Sequence, residues 1–361
     1  MTDAGRVTST AWAVVLAGGV GARFWPVSTP GRPKQLLPLA GDRPILAQTV
    51  DRIRPLIPLE RVRILTGRAL APPILDTIPE LDPDSLWLEP RARGTAPVLA
   101  WAATQIVRID PDAVMISLHA DHVIEPEDRF RDLLAAVSVL CARERRLFTL
   151  GVVPARPETG YGYIRLGASV PGAGLDVQAF EVERFVEKPA RALAEEYVAS
   201  GDYLWNSGIF VWPAALLLEQ LRLHTPEIAP LLPLLDEGRV DEFFDRAPTI
   251  SIDEALLERS DRVAVARASF SWDDVGAWDA VARTRAGDGS GNVGVGDAWF
   301  VDAGGCIAWA DEGAVVVFGA RDLVVVRANG ITLVVPRERA PELKKMLEKL
   351  PDRLREPGPH G

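Results

Sequence analysis

Cysteine is scarce in this chain of 361 residues, which contains only Cys141 and Cys306. Two cysteines cannot form the disulfide framework of a small secreted protein, and free thiols are the simpler interpretation. No run of about 18 uncharged apolar residues occurs, which argues against a membrane-spanning helix. The first twelve residues, MTDAGRVTSTAW, lack the apolar core of a secretion signal. We therefore expect a cytoplasmic protein with no membrane partner.

An excess of positive charge is also absent. The chain carries 40 Lys and Arg against 50 Asp and Glu, which gives a formal charge of −10. An acidic protein lacks the attraction on which nonspecific nucleic-acid binding depends, so we expect no nucleic-acid partner. The net charge does not exclude a phosphate ligand, because a few local cations can override it. With 48% hydrophobic and 25% charged residues, the composition is that of a folded globular protein.

Up to about residue 150, short apolar runs alternate with segments of helical periodicity. The pattern indicates buried strands at 12–17, 62–65, 86–88, 113–118 and 147–153, and helices around 45–53, 96–107 and 130–137. This alternation predicts an α/β fold with a Rossmann-like, mixed and mostly parallel central sheet. In such sheets, ligands bind at the carboxyl ends of the strands.

The second half of the chain has a different pattern. Residues 161–166 and 177–186 alternate as antiparallel strands do, and a helix is expected at 213–223. The segment RAGDGSGN at 285–292 lacks apolar residues and indicates a boundary. We predict a large domain at 1–285 and a small β-rich domain at 286–361. The small domain should end in a helix at 341–350, with a frayed tail from Pro351.

The most informative segment is LAGGVGARFWPVSTPGRPKQLLP, which occupies residues 16–38. A buried strand runs into Gly18, Gly19 and Gly21, and glycines allow backbone N–H groups to approach a phosphate closely. Arg23 and Lys34 add positive charge to the same loop. The segment therefore indicates a phosphate-binding loop.

Two better-known glycine loops do not fit this segment. A dinucleotide fingerprint needs a glycine three positions after Gly21, and that position is Phe24. A P-loop needs glycine before its lysine and serine or threonine after it. Lys34 instead lies between Pro33 and Gln35.

The same segment resembles the signature loop of the sugar-1-phosphate nucleotidylyltransferases, GGxGxRxxPxS followed by PKQ. It is most similar to the mannose-1-phosphate guanylyltransferase (GDP-mannose pyrophosphorylase) branch. Further stretches match family motifs in the family's order, and the matches extend from residue 12 to about 280. They are EPRARGTAP at 89–97, HADH at 119–122, TGYGYI at 159–164, FVEKP at 185–189, YLWNSG at 203–208, SID at 251–253 and SWDDVGAW at 271–278. The resemblance implies that residues 1–285 form a nucleotidyltransferase catalytic domain.

Two carboxylates are the candidate metal ligands. Asp121 follows the strand at 113–118, where a carboxylate facing a triphosphate suits Mg²⁺. The resemblance implies that Asp274 shares this ion, while its neighbour Asp273 points elsewhere. His119 and His122 could also suggest zinc, but no third or fourth ligand is evident. His119 stands where the family usually has proline.

The resemblance also implies the nucleotide-binding residues. They are Leu16, Gly18, Gly19, Gly21, Arg23, Lys34, Thr95 and Asp121. From the residues alone, Thr95 is equally an N-cap candidate for the helix that follows it. The family often reads GRNTAP here, so Ala92 and Gly94 depart from its pattern.

A third group is implied to bind the sugar phosphate. Lys188 would bind the phosphate, Glu187 would accept hydrogen bonds from sugar hydroxyls, and Gly162 and Asn206 would hydrogen-bond the hexose. Trp205 is more typical of a core residue than of a stacking platform. The stretch at 251–253 is interpreted as mainly structural.

The resemblance predicts an Mg²⁺-dependent enzyme that transfers GMP from GTP to α-D-mannose 1-phosphate. Arg23, Lys34, Asp121 and Lys188 would be its catalytic residues. The alternatives are another hexose 1-phosphate or nucleoside triphosphate, or a non-catalytic regulatory paralogue. About 70 residues follow the boundary near 290, too few for the phosphomannose isomerase domain that some members carry. The small domain is expected either to pack on the first domain or to form a subunit contact. In the second case the protein would be a homodimer.

Overall fold

The computed structural model describes residues 10–19, 21–171 and 177–355, and within them the chain forms fifteen β-strands and eleven α-helices. The strands are β1 Ala11–Leu16, β2 Val62–Gly67, β3 Leu86–Glu89, β4 Val114–His119, β5 Val123–Glu125, β6 Leu147–Val152, β7 Gly162–Ser169, β8 Ala179–Glu187, β9 Tyr203–Pro213, β10 Val263–Arg267, β11 Ser271–Asp273, β12 Val293–Val301, β13 Ile307–Phe318, β14 Leu323–Ala328 and β15 Ile331–Pro336. The α-helices are α1 Ile45–Ile53, α2 Ala71–Thr77, α3 Thr95–Ile109, α4 Glu127–Glu144, α5 Arg191–Ser200, α6 Ala214–His224, α7 Leu232–Asp236, α8 Val240–Arg246, α9 Val281–Thr284, α10 Leu343–Leu347 and α11 Asp352–Arg355. Short 3₁₀ turns lie at Ala22–Phe24, Lys34–Leu36, Leu59–Arg61, Arg68–Leu70, Pro83–Ser85, Ala229–Leu231, Trp278–Ala280 and Arg337–Glu342, and a π-helical turn lies at Asp253–Leu257.

The central sheet has nine strands in the order β3-β2-β1-β4-β9-β6-β10-β8-β7. Strands β3, β2, β1 and β4 are parallel to one another, as are β6 and β10. Strand β9 pairs in antiparallel orientation with β4, β6 and β7. Strand β8 pairs in the same orientation with β7 and β10. The sheet is therefore mixed, as predicted, but parallel pairing is limited to β3-β2-β1-β4 and to β6 with β10.

Two apolar cores cover the two faces of this sheet. Along β1, Ala11, Ala13 and Val15 enter one core, and Trp12 and Val14 enter the other. Helices α1 and α4 pack in the first core, and α3 and α6 pack in the second. Successive residues of a strand point to opposite faces, so a strand covered on both sides reads as a continuous apolar run. This explains why the buried strands could be located from the sequence.

A separate two-stranded sheet brings distant parts of the chain together. Strand β5 pairs with β11 in antiparallel register, with Asp273 opposite Val123. Strand β5 follows β4 after a turn of three residues, and β11 lies almost 150 residues further along the chain. The pairing therefore places the residue after β11 beside the turn after β4.

The C-terminal strands form a four-stranded sheet, β12-β13-β14-β15. Its inner face shares a core with the glycine-rich loop of the first domain. The rings of Trp278 and Trp309 lie 5.4 Å apart in this core. Asn329 Nδ2 donates a 2.8 Å hydrogen bond to the Pro26 carbonyl. The small β region thus packs on the larger one; the boundary at residue 285 stays a prediction.

Several elements differ from the expectations. Strands β5, β9, β10 and β11 and helices α2, α5, α7, α8 and α9 were not predicted. The predicted helix at 341–350 is α only over Leu343–Leu347. The tail predicted to fray begins with α11, whose Leu354 carbonyl accepts a 3.0 Å bond from Trp25 Nε1; residues 356–361 lie outside the described residues. None of the described helices is long and apolar enough to cross a membrane.

Candidate active site

A cavity of about 300 Å³ opens at the carboxyl ends of β1 and β4. Five of the residues predicted to bind nucleotide line it, namely Leu16, Gly18, Gly19, Thr95 and Asp121. Leu65 and Val98 add apolar surface, and Gln35, Glu89 and His119 add polar groups. A largely apolar cleft with a few converging polar groups is typical of a small-molecule site.

Lys34 lies against the glycine loop. A Cβ on Gly21 would be 2.2 Å from Lys34 Cβ, and Gly21 has φ +72°. Both the backbone conformation and the close approach therefore require glycine there. Gln35 Nε2 donates a 2.9 Å bond to the Ala17 carbonyl and ties this turn to the end of β1. Arg23 is exposed on the same loop and is not among the residues that line the cavity.

Lys34 joins the two predicted metal ligands. Its Nζ donates to Asp121 Oδ2 at 2.8 Å and to the backbone oxygen of Asp274 at 2.6 Å. The β5–β11 pairing is what brings these residues together. Asp273 points away, as predicted, because its carboxylate accepts hydrogen bonds from Arg283 and from the Val275 N–H.

The two carboxylates have different electrostatic environments. Burial opposes ionisation of Asp121, but the Lys34 ammonium outweighs it and holds the pKa of Asp121 well below the usual range. Burial raises the pKa of Asp274, and Lys34 and Tyr161 counteract this only in part. One ammonium thus faces two half-buried carboxylates. This oxygen donor set, incompletely neutralised, fits a hard divalent cation such as Mg²⁺.

The histidines do not complete a zinc site. His119, Asp121 and His122 form a cluster whose ligand atoms lie within 4.8 Å of one another. However, His122 Nδ1 accepts a 3.1 Å bond from Trp272 Nε1, so the neutral ring carries its hydrogen on Nε2. Burial lowers the pKa of His122 well below its ordinary value, which keeps the ring neutral. Nε2, which lies 4.0 Å from Asp121 Oδ1, therefore has no lone pair for a metal.

His119, which replaces the family's proline, occupies space beside the cavity. A Cβ on Gly208 would meet His119 Nε2 at 2.8 Å, and Gly208 has φ +70°. Burial lowers the pKa of His119, so it adds no positive charge at neutral pH. The substitution leaves the Asp121 position intact.

Tyr161 connects the carboxylates with the predicted sugar-phosphate residues. Its hydroxyl donates a 2.6 Å bond to Asp274 Oδ1 and accepts one from Arg156 Nη2 at 3.2 Å. Its carbonyl accepts a 3.2 Å bond from the Lys188 N–H. The motif TGYGYI was noted in the sequence for its glycines, so this tyrosine was missed.

The residues predicted for the sugar lie at the ends of β7, β8 and β9. Gly162 pairs with Glu187, and a Cβ on Gly162 would meet Glu187 Oε2 at 2.6 Å. Lys188 has φ +46° and forms an ion pair with Glu187. Asn206 Nδ2 donates a 2.7 Å bond to Asp253 Oδ1. The fold brings these four residues together, while their roles stay predictions; Trp205 is buried in the core.

The helix that follows the EPRARGTAP stretch begins differently from the expectation. Gly94 is the N-cap residue of α3, and Thr95 is the first residue inside the helix. The Thr95 hydroxyl accepts a 2.8 Å bond from the Ile252 N–H. The N-cap interpretation of Thr95 was therefore wrong, because a neighbouring segment uses its oxygen.

Glu89, at the end of β3, was not considered as a site residue. Its carboxylate lines the cavity and packs on Gly18, where a Cβ would be 2.9 Å from Glu89 Oε1. Burial raises the pKa of Glu89. A strand-end carboxylate inside an otherwise apolar pocket is the signal that could have identified it.

This arrangement of a glycine loop, a lysine and paired carboxylates is that of an enzyme that handles phosphates, and the chain belongs to the nucleotidyl transferase family. The family model matches residues 12–289. A second model, for the mannose phosphate isomerase/GMP-like β-helix domain, matches residues 296–350.

Within that family, the chain belongs to the mannose-1-phosphate guanylyltransferases. It is 39% identical to mannose-1-phosphate guanylyltransferase ManC from Salmonella typhimurium, over 93% of this chain and 72% of that protein. It is 38% identical to the mannose-1-phosphate guanylyltransferase of Escherichia coli, over 95% and 74%. The crystal structure of mannose-1-phosphate geranyltransferase from Thermus thermophilus is similar with a TM-score of 0.84 and 34% identity, covering 94% of this chain and 99% of that one.

Proposed function

We propose that this chain transfers GMP from GTP to α-D-mannose 1-phosphate, which yields GDP-mannose and pyrophosphate. The observation that carries this is the bridge from Lys34 to Asp121 and Asp274 beside the cavity, with Tyr161 joining Asp274 to Lys188. A phosphate oxygen of the sugar phosphate attacks the α-phosphorus, and the bond to the bridging oxygen of pyrophosphate breaks. We further propose that the reaction occurs in the cytoplasm, which cell fractionation tests.

The residues act by positioning and by neutralising charge. The attacking phosphate is already anionic, so the reaction needs no general base. Arg23 and Lys34 balance the charge that builds on the leaving pyrophosphate, and Lys188 orients the attacking phosphate. Leu16 and the loop glycines contact the nucleotide. Fixed cations in a pocket that excludes water stabilise charge strongly.

We propose Mg²⁺ as the cofactor, held by Asp121 and Asp274. Bound there, the ion would neutralise phosphate charge during transfer. Tyr161 supports this assignment because its hydroxyl fixes Asp274 Oδ1 and leaves Oδ2 available. The raised pKa of half-buried Asp274 is the expected state of a carboxylate whose charge is only partly compensated.

Glu89 supports guanine as the base. An ionised carboxylate only accepts hydrogen bonds, and guanine presents two neighbouring donors, N1–H and the 2-amino group. Adenine presents an acceptor at N1 and no amino group at C2. A half-buried carboxylate in the nucleotide cavity therefore matches guanine and opposes adenine.

The decisive experiment is a substrate panel. Pyrophosphate release is measured with GTP, ATP, UTP and dTTP against mannose 1-phosphate and glucose 1-phosphate, with and without Mg²⁺. We expect release above background with GTP, mannose 1-phosphate and Mg²⁺, and little with the other pairs. A higher rate with another pair of nucleotide and sugar phosphate would identify that pair as the substrates. No release with any pair would favour a regulatory paralogue.

We also propose that the protein is a homodimer formed through the C-terminal sheet. Trp299 pairs with Val316 and Val301 with Phe318, and these four exposed side chains form one apolar ridge. Contiguous exposed apolar surface marks interaction sites, and a two-fold axis can place the ridge against its own copy. The ridge would be the apolar centre of an interface of about 800 Å² per partner.

Light scattering on an analytical size-exclusion column tests the homodimer. We expect a dimer at micromolar concentration and a monomer for W299S/F318S. V334S is the control, since Val334 is also exposed on this sheet but lies outside the ridge. A monomeric wild type would rule out the interface.

A further inference from the structure

Asp253 holds the side chain of Asn206 in one orientation. Asp253 Oδ1 accepts a 2.7 Å bond from Asn206 Nδ2. On the other side of the same amide, Asn206 Oδ1 accepts bonds from Thr149 Oγ1 at 2.7 Å and from the Gly208 N–H at 3.3 Å. A flipped amide would place its oxygen against the Asp253 carboxylate and its NH2 group against the Gly208 N–H, and these two contacts oppose the flip. Nδ2 carries two N–H groups, and the bond to Asp253 uses one of them.

The segment that carries Asp253 is anchored from behind. Asp253 begins the π-helical turn Asp253–Leu257. Ile252, just before the turn, and Ala255 and Leu256, within it, are fully buried. The Ala255 carbonyl accepts a 2.8 Å bond from Thr225 Oγ1. π-helical turns are uncommon and frequent at functional sites. The turn therefore presents Asp253 from a rigid base.

This segment also contacts the nucleotide cavity. The Ile252 N–H donates a 2.8 Å bond to Thr95 Oγ1, and Thr95 lines the cavity. Asp253 follows Ile252 directly, so adjacent residues contact the two halves of the site. The interpretation of residues 251–253 as mainly structural did not include these contacts with Asn206 and Thr95.

We propose that Asp253 is a positioning residue for the sugar phosphate, which holds the Asn206 amide so that its second N–H is presented to the hexose. The inference rests on the proposed function, because it assumes that Asn206 contacts the sugar. Its consequence is selective: loss of the Asp253 acceptor weakens use of the sugar phosphate and leaves use of GTP almost unchanged.

Two substitutions at Asp253 separate the hydrogen bond from the charge. Asp253→Leu removes the acceptor and keeps a similar size, whereas Asp253→Asn keeps an acceptor oxygen. Burial, followed by the neighbouring Glu187, raises the pKa of Asp253 to about 7, so an uncharged amide is a fair replacement. We expect D253L to raise the KM for mannose 1-phosphate about tenfold, as the loss of one strong hydrogen bond does. The KM for GTP should change less than about twofold, and D253N should restore most of the loss.

A double-mutant cycle with Asn206→Ala shows whether Asp253 acts through this amide. We expect D253L to have little further effect in the N206A background, because the group that it positions is already absent. Additive effects would overturn the proposal. Equal increases in both KM values for D253L would also overturn it, since a merely structural defect affects both substrates.

Thr149→Val provides a second approach in case D253L does not fold. It removes the donor on the other side of the amide with little change of shape, and we expect the same selective increase in the sugar-phosphate KM. Unchanged kinetics for T149V would contradict the proposal. Glu254→Gln is the matched control, because Glu254 is exposed and its carboxylate accepts hydrogen bonds from Ser251.

Failure of the proposed function gives a different result from failure of this inference. If wild type releases no pyrophosphate with GTP and mannose 1-phosphate, the proposed function fails, and the inference fails with it. If wild type is active and both D253L and T149V behave like wild type, only the positioning role of Asp253 is excluded.

Discussion

Lys188 has a left-handed backbone conformation, with φ +46°, which residues other than glycine rarely adopt. Its side chain is largely exposed beside Glu187. A strained position persists only where the surroundings enforce it, here through the bond from the Lys188 N–H to the Tyr161 carbonyl. For Lys188→Ala we expect the KM for mannose 1-phosphate to rise at least about tenfold, because a charge-assisted bond to the phosphate is lost. Initial rates at saturating GTP measure it.

The matched control for Lys188→Ala is Arg191→Ala. Arg191 is an exposed cation at the start of α5 that pairs with Glu195. We expect this variant to behave like wild type. If K188A raised the KM for GTP as much as that for the sugar phosphate, the assignment of Lys188 would be wrong.

Glu89 should determine the choice of base. For Glu89→Gln we expect kcat/KM for GTP to fall and the preference for GTP over ITP to shrink by about tenfold, because glutamine places a donor where guanine offers its 2-amino group. ITP lacks that amino group, so its use should change less. Parallel assays with the two nucleotides give the ratio.

Glu60→Gln is the control for Glu89, since Glu60 is exposed and lies away from the cavity. It should leave the GTP/ITP ratio unchanged. An unchanged ratio for E89Q as well would remove Glu89 from base recognition.

At the scale of single residues, the sequence indicated the groups that stand in recognisable motifs. Asp121, Asp274 and Lys34 were predicted together, and the structure brings both aspartates within hydrogen-bond reach of the lysine. Glu89 and Asp253 were missed as site residues because their importance arises from tertiary contacts. A carboxylate at a strand end or in a turn is ordinary until the cavity or the amide beside it is seen.

At the scale of elements, Gly94 joins the first turn of α3 to the segment at 250–253. It has φ +82° and ψ 179°, a region open almost only to glycine, and an added Cβ would lie 2.4 Å from the Ile250 oxygen. For Gly94→Ala we expect a loss of about 2–3 kcal/mol in the free energy of unfolding, measured by denaturant titration.

Gly67→Ala is a suitable comparison for Gly94. Gly67 has φ −81°, and nothing lies within 4 Å of an added Cβ. That variant should unfold within about 0.5 kcal/mol of wild type, as most unstrained substitutions do. A harmless G94A would show that the contact with Ile250 relaxes readily.

The buried strands and the three longest helices of the first half followed from the sequence, because buried parallel strands and amphipathic helices have clear periodicity. Helix α2, with seven residues, did not. Strands β5 and β11 did not, since three residues are too few to show a pattern. Yet these two strands place Asp274 beside Asp121. A resemblance to a family predicted that proximity; the residue pattern alone could not.

At the scale of the whole molecule, the C-terminal sheet and the glycine loop share one core. Trp309 is buried against Trp278, and Trp278 Nε1 donates to the Trp25 carbonyl at 3.3 Å. For Trp309→Ala we expect a loss of about 3–5 kcal/mol in stability, together with a higher KM for GTP. Thermal unfolding and initial rates measure the two effects.

Val334→Ala is the control for Trp309, because Val334 is exposed on the same sheet. It should change neither stability nor the KM for GTP. If W309A lowered stability but left GTP use unchanged, the C-terminal sheet would support the fold without influencing the loop.

The shared core limits how such chains can be recombined. Phe24, Trp25 and Val27 of the loop pack with Trp309 and Val324 of the C-terminal sheet. Consider a hybrid that joins the first 285 residues of this chain to the C-terminal sheet of a relative. Its loop and its sheet would carry side chains that did not evolve to pack against each other. Such hybrids should therefore retain activity only when the loop at 24–39 is exchanged together with the sheet. The segments that have to be exchanged as one unit are thus far apart in the sequence.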